Sequence, residues 1–271
     1  MKRKNLLIAV LALSAAVGVR AQVTPEPAED FRLPVDNYLF THLGAGLSVG
    51  TDGIGIELCT PVTEYAGLRA GMSFFPTISP SFKDISYTRN HKSGKGNVDA
   101  KFKKVEGKVL IDAYPFGLKH SFHVTVGAFF GTKELVTADF TQDPNVPIRG
   151  GFIPQTNNPN EYVVEPDANG VIHAKLITNG FKPYVGIGFG RMMPKGDKRF
   201  GVSCDIGVQF HGTPKVKAYA PEVDRWLEIK GEDLGDDLGE SFKKDFDDAM
   251  DIITKVKVWP VLNVRLTGRI F

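Results

Sequence analysis

An alternation of apolar with small or polar residues, renewed about eight times along the chain, limits its fold more than any other feature. Side chains on a strand point alternately to its two faces, so such a stretch is a strand with one oily and one polar side. In "LGAGLSVG", Leu43, Ala45, Leu47 and Val49 share one face, and Gly44, Gly46, Ser48 and Gly50 share the other. Thr51-Asp52-Gly53 supplies a tight hairpin turn, and "IGIELC" returns with Ile54, Ile56 and Leu58 against Gly55, Glu57 and Cys59. The pattern recurs in "GLRAGMSFF", "VEGKVLIDAY", "FHVTVGAFFGT", "YVGIGFGR", "FGVSCDIGVQFH" and the closing "NVRLTGRIF". Each is close to the length of a membrane-crossing strand, roughly 9 to 11 residues.

Two all-β architectures can use these strands. A soluble sandwich or barrel buries the oily face, whereas a transmembrane barrel turns it to lipid and fills its lumen with the polar one. The polar face decides between them. It carries Gly44, Gly46, Gly55, Gly71, Gly127, Gly186, Gly188 and Gly207, and a water-facing strand gains nothing from glycine. Inside a narrow barrel, where side chains compete for space, glycine makes steric sense. The connections agree: "TPVTEY", "PFGLKHS" and "MMPKGDK" are short, and the stretches after the third, fifth and seventh strands are long. That rhythm is expected of an outer-membrane barrel with both termini in the periplasm.

At the start, Lys2, Arg3 and Lys4 precede an uncharged apolar run from Leu6 to Val19 and the small-residue pattern ending at Ala21. This predicts a signal peptide over 1–21, a periplasmic segment over 22–37 and a barrel over 38–271. Long loops are expected near 77–100, 141–179 and 212–255. Within the last of these, Phe242, Phe246, Ala249, Met250 and Ile253 share one face of a short amphipathic helix over 239–254, before the final strand.

With its signal peptide, its amphipathic strands and a closing "WPVLNVRLTGRIF", the chain resembles Gram-negative outer-membrane β-barrel proteins. In particular it resembles an uncharacterised small-barrel family with "KPYVGIGFGR", "GVSCDIGVQFHGTPKV" and a closing "YPVLN…GRIF"-type strand that ends in Phe, where this chain has Trp259 before Pro260. The resemblance implies that the terminal strand is read by the outer-membrane insertion machinery. One departure stands out: Arg265, Thr267 and Arg269 share the parity of Phe271, where the usual signal keeps apolar residues. The expected fold is thus all-β, a transmembrane antiparallel up-and-down barrel of about eight strands.

The polar faces carry Glu57, Arg69, Glu106, Lys108, Asp112, Asp205, Arg265 and Arg269, both signs in near balance. In an eight-stranded barrel the interior is just wide enough to be filled by side chains, so these residues are expected to form a lumen charge network. Catalytic, cofactor-binding and metal-binding residues are not expected. His120 and Ser121 are neighbours on a strand and so point to opposite faces, and no nucleophile elbow, zinc helix, phosphate loop or calcium loop occurs. "GIGFGR" lacks dinucleotide-loop spacing. By parity Cys59 faces the lumen and Cys204 faces lipid, so no disulfide is expected. A formal net charge of +2 gives no whole-chain field that argues for nucleic acid. As an outer-membrane barrel the chain has outer-membrane lipid as its expected partner, with any surface ligand unspecified. The functional expectation is a structural or surface-interaction barrel. The alternatives are a narrow porin-like channel for small solutes and a lipid-modifying enzyme.

Overall fold

The computed structural model describes residues 42–63, 65–89, 92–117, 120–145, 166–194, 198–229, 255–270 and the single positions 244, 248 and 251. The signal peptide and periplasmic segment expected before residue 38 lie outside these residues, as does the apolar stripe expected over 239–254. Lys244, Asp248 and Asp251, from the polar side of that segment, are helical and exposed.

Thirteen strands are described. They are β1 (Gly44–Gly50), β2 (Gly53–Thr63), β3 (Ala66–Ile78), β4 (Ser81–Arg89), β5 (Lys92–Ala113), β6 (Phe122–Gly131) and β7 (Glu134–Thr141). β8 (Val171–Ile177), β9 (Phe181–Gly190), β10 (Phe200–Phe210), β11 (Lys215–Ala220), β12 (Arg225–Glu228) and β13 (Val258–Arg269) follow.

Eight of them close a ring in the antiparallel order β1-β2-β3-β5-β6-β9-β10-β13 and back to β1. Closure by the β1–β13 ladder, Gly44 opposite Arg269 through Gly50 opposite Asn263, leaves the ring without a free edge. The hairpin between β1 and β2 turns at Gly53, whose φ of 104° favours glycine.

The burial pattern inverts that of a soluble protein. Leu47, Val49, Ile56, Met72, Val202 and Ile206 are all more than half exposed on the outside, while Glu57, Arg69, Lys108, Asp112 and Arg265 are buried within. Only a barrel whose surroundings are apolar gains from that arrangement. Phenylalanines mark both ends of the apolar wall: Phe74, Phe130, Phe181 and Phe210 at one, Phe116, Phe122, Phe189 and Phe200 at the other, all lying on the outer surface. β10 runs from Phe200 to Phe210, and at about 3.4 Å per residue and a tilt of about 40° it spans roughly the 25 Å of an apolar membrane band.

The stretches expected as long loops leave the ring, yet much of them is strand. β3, β6 and β10 run past bends into β4, β7 and β11, and β8 leads back into β9. Bulges between Phe75 and Ile78 and between Glu134 and Val136 supply two of the bends, and Gly212, with φ of 75°, a third. The result is a second tier in the order β4-β5-β7-β8-β11-β12, stacked on one side of the ring. β5, 22 residues long, belongs to both tiers. The tier stands at the end of the barrel opposite Gly44 and Arg269. Sequence periodicity missed it because its strands are short and one face of it is built of alanine and mixed apolar residues: Ala138, Ala174 and Ala218 lie in one cross-strand row.

Candidate functional site

Parity alone points the charged residues inward; what they do there depends on register. Arg69 on β3 reaches Asp112 on β5, with Nη2 2.6 Å from Oδ1, and Asp205 on β10, with Nη1 3.0 Å from Oδ2. Glu57 on β2 lies between the two arginines, with Oε2 3.5 Å from Arg69 Nη1 and 3.3 Å from Arg265 Nη1. Arg265 also approaches Asp205 at 3.5 Å. Thr125 donates to Asp112 at 2.7 Å, and His123 Nε2 lies 2.8 Å from Asp205 Oδ1. The other ring nitrogen of His123 meets the Ser121 carbonyl at 3.3 Å, so hydrogen bonding to both acceptors requires a proton on each nitrogen.

A second cluster sits nearer the second tier. Lys108 Nζ bridges Glu57 Oε1 at 2.7 Å and Asp52 Oδ2 at 3.3 Å. Glu106 takes Lys182 on one oxygen; on the other it takes Lys104 at 3.2 Å and the Gln209 amide at 2.8 Å. Lys104 also lies 4.8 Å from the centre of the Trp259 ring, a cation–π contact. An apolar plug of Leu110, Phe129, Tyr184 and Val261 fills the space the charges leave, and Cys59, Tyr114 and Met192 pack at the end near the termini.

Seven of the eight expected network residues therefore lie in the interior and in ion pairs with each other or with neighbours. Arg269 lies apart: its Nη2 donates to the Pro194 carbonyl at 2.6 Å. Sequence reasoning passed over Asp52, Lys104 and Lys182: Asp52 lies in the β1–β2 turn, and Lys104 and Lys182 precede the regularly alternating stretches "VEGKVLIDAY" and "YVGIGFGR". It also passed over His123 as a partner for Asp205, since strands that are not sequence neighbours cannot be paired from one sequence. His120 and Ser121 are exposed, outside the lumen.

Glycine placement follows from these contacts. A Cβ on Gly186 or Gly207 would meet the Tyr184 hydroxyl at 2.4 Å, so both positions are cut back for that ring. Among the described residues no group of histidine, cysteine or carboxylate side chains has the arrangement to hold a metal ion. Cys59 and Cys204 are both free thiols, the first buried, the second half-buried. Within this network Arg69 alone meets three carboxylates, those of Glu57, Asp112 and Asp205.

No protein-family model matches the chain, and no curated protein matches it. Among solved structures it is similar to the crystal structure of Acinetobacter baumannii CarO2, at 22% identity and a TM-score of 0.45 over 84% of this chain and 98% of that one. It is also similar to that of Acinetobacter baumannii CarO, at 21% identity and a TM-score of 0.43 over 83% of this chain and 96% of that one. Scores of that size add nothing to a barrel that the strand pairing already establishes.

Proposed function

We propose that this chain is an outer-membrane β-barrel of a Gram-negative envelope whose lumen is a structural plug and whose working surface is the second tier, outside the cell. One observation carries the reading. β3 and β10 are diametrically opposite in the ring of eight, and Arg69 on one joins Asp205 on the other at 3.0 Å, both side chains at most 5% exposed. An ion pair across the full diameter divides the lumen, and ion pairs to Asp112, Glu57 and Arg265 extend the barrier around it. Breaking such buried pairs costs too much for them to part spontaneously for a passing solute. The six-stranded tier, by contrast, is an ordered surface standing clear of the apolar band, in the position from which surface-interaction barrels work.

A narrow channel is the second reading, favoured by a different observation. Ser203 Oγ, Asn263 Oδ1, Thr267 Oγ1 and Arg265 Nε are buried along the β10 and β13 wall without a protein partner. Groups of that kind are satisfied by water, and a seam of water is the minimum a small solute needs.

Planar-bilayer recording separates the two. The structural reading expects no unitary steps from the purified protein, with steps appearing in Arg69→Ala; steady unitary conductance from the wild type overturns it in favour of the channel.

A further inference from the structure

The outward face of the second tier is graded in charge. In the cross-strand row farther from the membrane stand Asp99, Asp139, His173, Tyr219 and Trp226; in the row nearer to it stand Lys101, Thr137, Lys175, Lys217 and Glu228. Nearer still, directly above the aromatic band of Phe130, Phe181 and Phe210, are the exposed Lys103, Lys133 and Lys215. The acids at this level are already engaged, Glu134 by Lys175 at 2.6 Å and Glu228 by Lys215 at 2.9 Å. Lys101, Lys103, Lys133 and Lys217 form no ion pair with a described residue. Lys217 stands between Lys175 on β8 and Glu228 on β12, and the Glu228 carboxylate is turned to Lys215 instead.

We propose that this wall binds the phosphate groups of anionic lipids in the surrounding leaflet, with Lys101, Lys103, Lys133 and Lys217 as the contacts. The inference rests on the transmembrane reading above. A lysine on a flexible stem just beyond a phenylalanine band sits at headgroup depth, where each basic side chain gains from phosphate and where a phosphorylated lipid finds apolar wall for its chains and ammonium groups for its head. A patch confined to one side of the barrel binds lipid there and not evenly around the circumference.

The test is native mass spectrometry of the full chain in detergent, titrated with bis-phosphorylated lipid A and with dephosphorylated lipid A. Lys103→Gln/Lys133→Gln/Lys217→Gln is the variant. Lys95→Gln, in the distant β4–β5 hairpin where Lys95 faces Asp84 at 3.7 Å, is the control. Expected are preferential binding of the phosphorylated lipid, a loss of about tenfold or more in the triple variant, no loss in the control, and no competition from millimolar inorganic phosphate. Equal binding of the two lipids, or undiminished binding by the triple variant, overturns the proposal. Competition by inorganic phosphate overturns it too, because the ligand is then a soluble anion. Heat-modifiable gel mobility is read on every sample: a triple variant that keeps it has kept its barrel, and a wild type that lacks it overturns the transmembrane reading and this proposal together.

Discussion

His123 on β6 and Asp205 on β10 meet at 2.8 Å across the intervening strand β9, because the residue directly opposite both of them, Gly188, has no side chain. A Cβ at that position would stand 2.3 Å from His123 Nε2 and 2.5 Å from Asp205 Oδ1. The glycine is thus a gap in the wall through which two non-neighbouring strands are tied.

Gly188→Ala is expected to destabilise the barrel by about 1 to 3 kcal/mol, the usual cost of forcing extra atoms into a packed interior. Gly107→Ala is the matched control, since the nearest atom to its Cβ lies at 3.8 Å. Urea unfolding in lipid vesicles measures both. Equal midpoints for the two variants would mean that the His123–Asp205 contact does not depend on the gap.

Arg69 holds three carboxylates, so its removal leaves buried negative charge uncompensated. Arg69→Met is expected to cost about 3 to 5 kcal/mol, and adding Asp112→Asn to recover part of that loss, since one orphaned charge is then gone. Strictly additive single and double variants in the same unfolding assay would show that the two residues are not coupled.

The ring was legible in the sequence because a lipid-facing wall enforces strict alternation over many residues, as from Phe200 to Phe210; parity puts Arg69 and Asp205 on the polar face, but Asp52, Lys104 and Lys182 lie outside the alternating stretches and Arg269 stands apart from the network. What parity cannot give is which strand lies across the lumen. Arg69 and Asp205 are 136 positions apart, and only ring closure brings them together. The second tier was missed for a related reason. A wall clear of the membrane need not alternate strictly, and in "ELVTADFT" and "VIHAKLI" charged residues stand among apolar ones on strands of 8 and 7 residues, too short to outweigh the flanking turn residues.

The outer wall permits a direct test of the membrane. Ile206 and Val264 are 56% and 45% exposed on it, and Ile206 sits at the middle of β10. In a Cys204→Ser background, cysteines at both positions are expected to react with membrane-soluble thiol reagents and to resist polar ones. Ile206→Arg should hinder assembly by about 2 to 4 kcal/mol, the cost of a charge near the bilayer midplane, while its lumen-facing neighbour changed as Asp205→Asn still inserts. Labelling of either cysteine by polar reagents in intact membranes would place that face in water.

The second tier carries its own titration. His173 on β8 is directly opposite Asp139 on β7, its Nδ1 2.7 Å from Oδ1, while Nε2 faces Asp167 Oδ2 at 3.6 Å. The hydrogen bond to Asp139, and then the charges of both carboxylates, hold the imidazolium above the ordinary histidine value of 6.5. A group whose folded pKa is raised stabilises the fold fully below its unfolded pKa and loses that contribution as pH rises through the folded one. Hydrogen exchange at Ala138 and Ala174, the next pair along the same ladder, is therefore expected to quicken above pH 6.5 beyond the intrinsic base-catalysed rise. His173→Gln should remove that excess while leaving the ring's amides unchanged, because the β7–β8 ladder lies outside the closed ring. The effect is modest, since both partners are more than a third exposed and solvent screens them. An NMR titration of His173 with a midpoint at or below 6.5 would remove the premise.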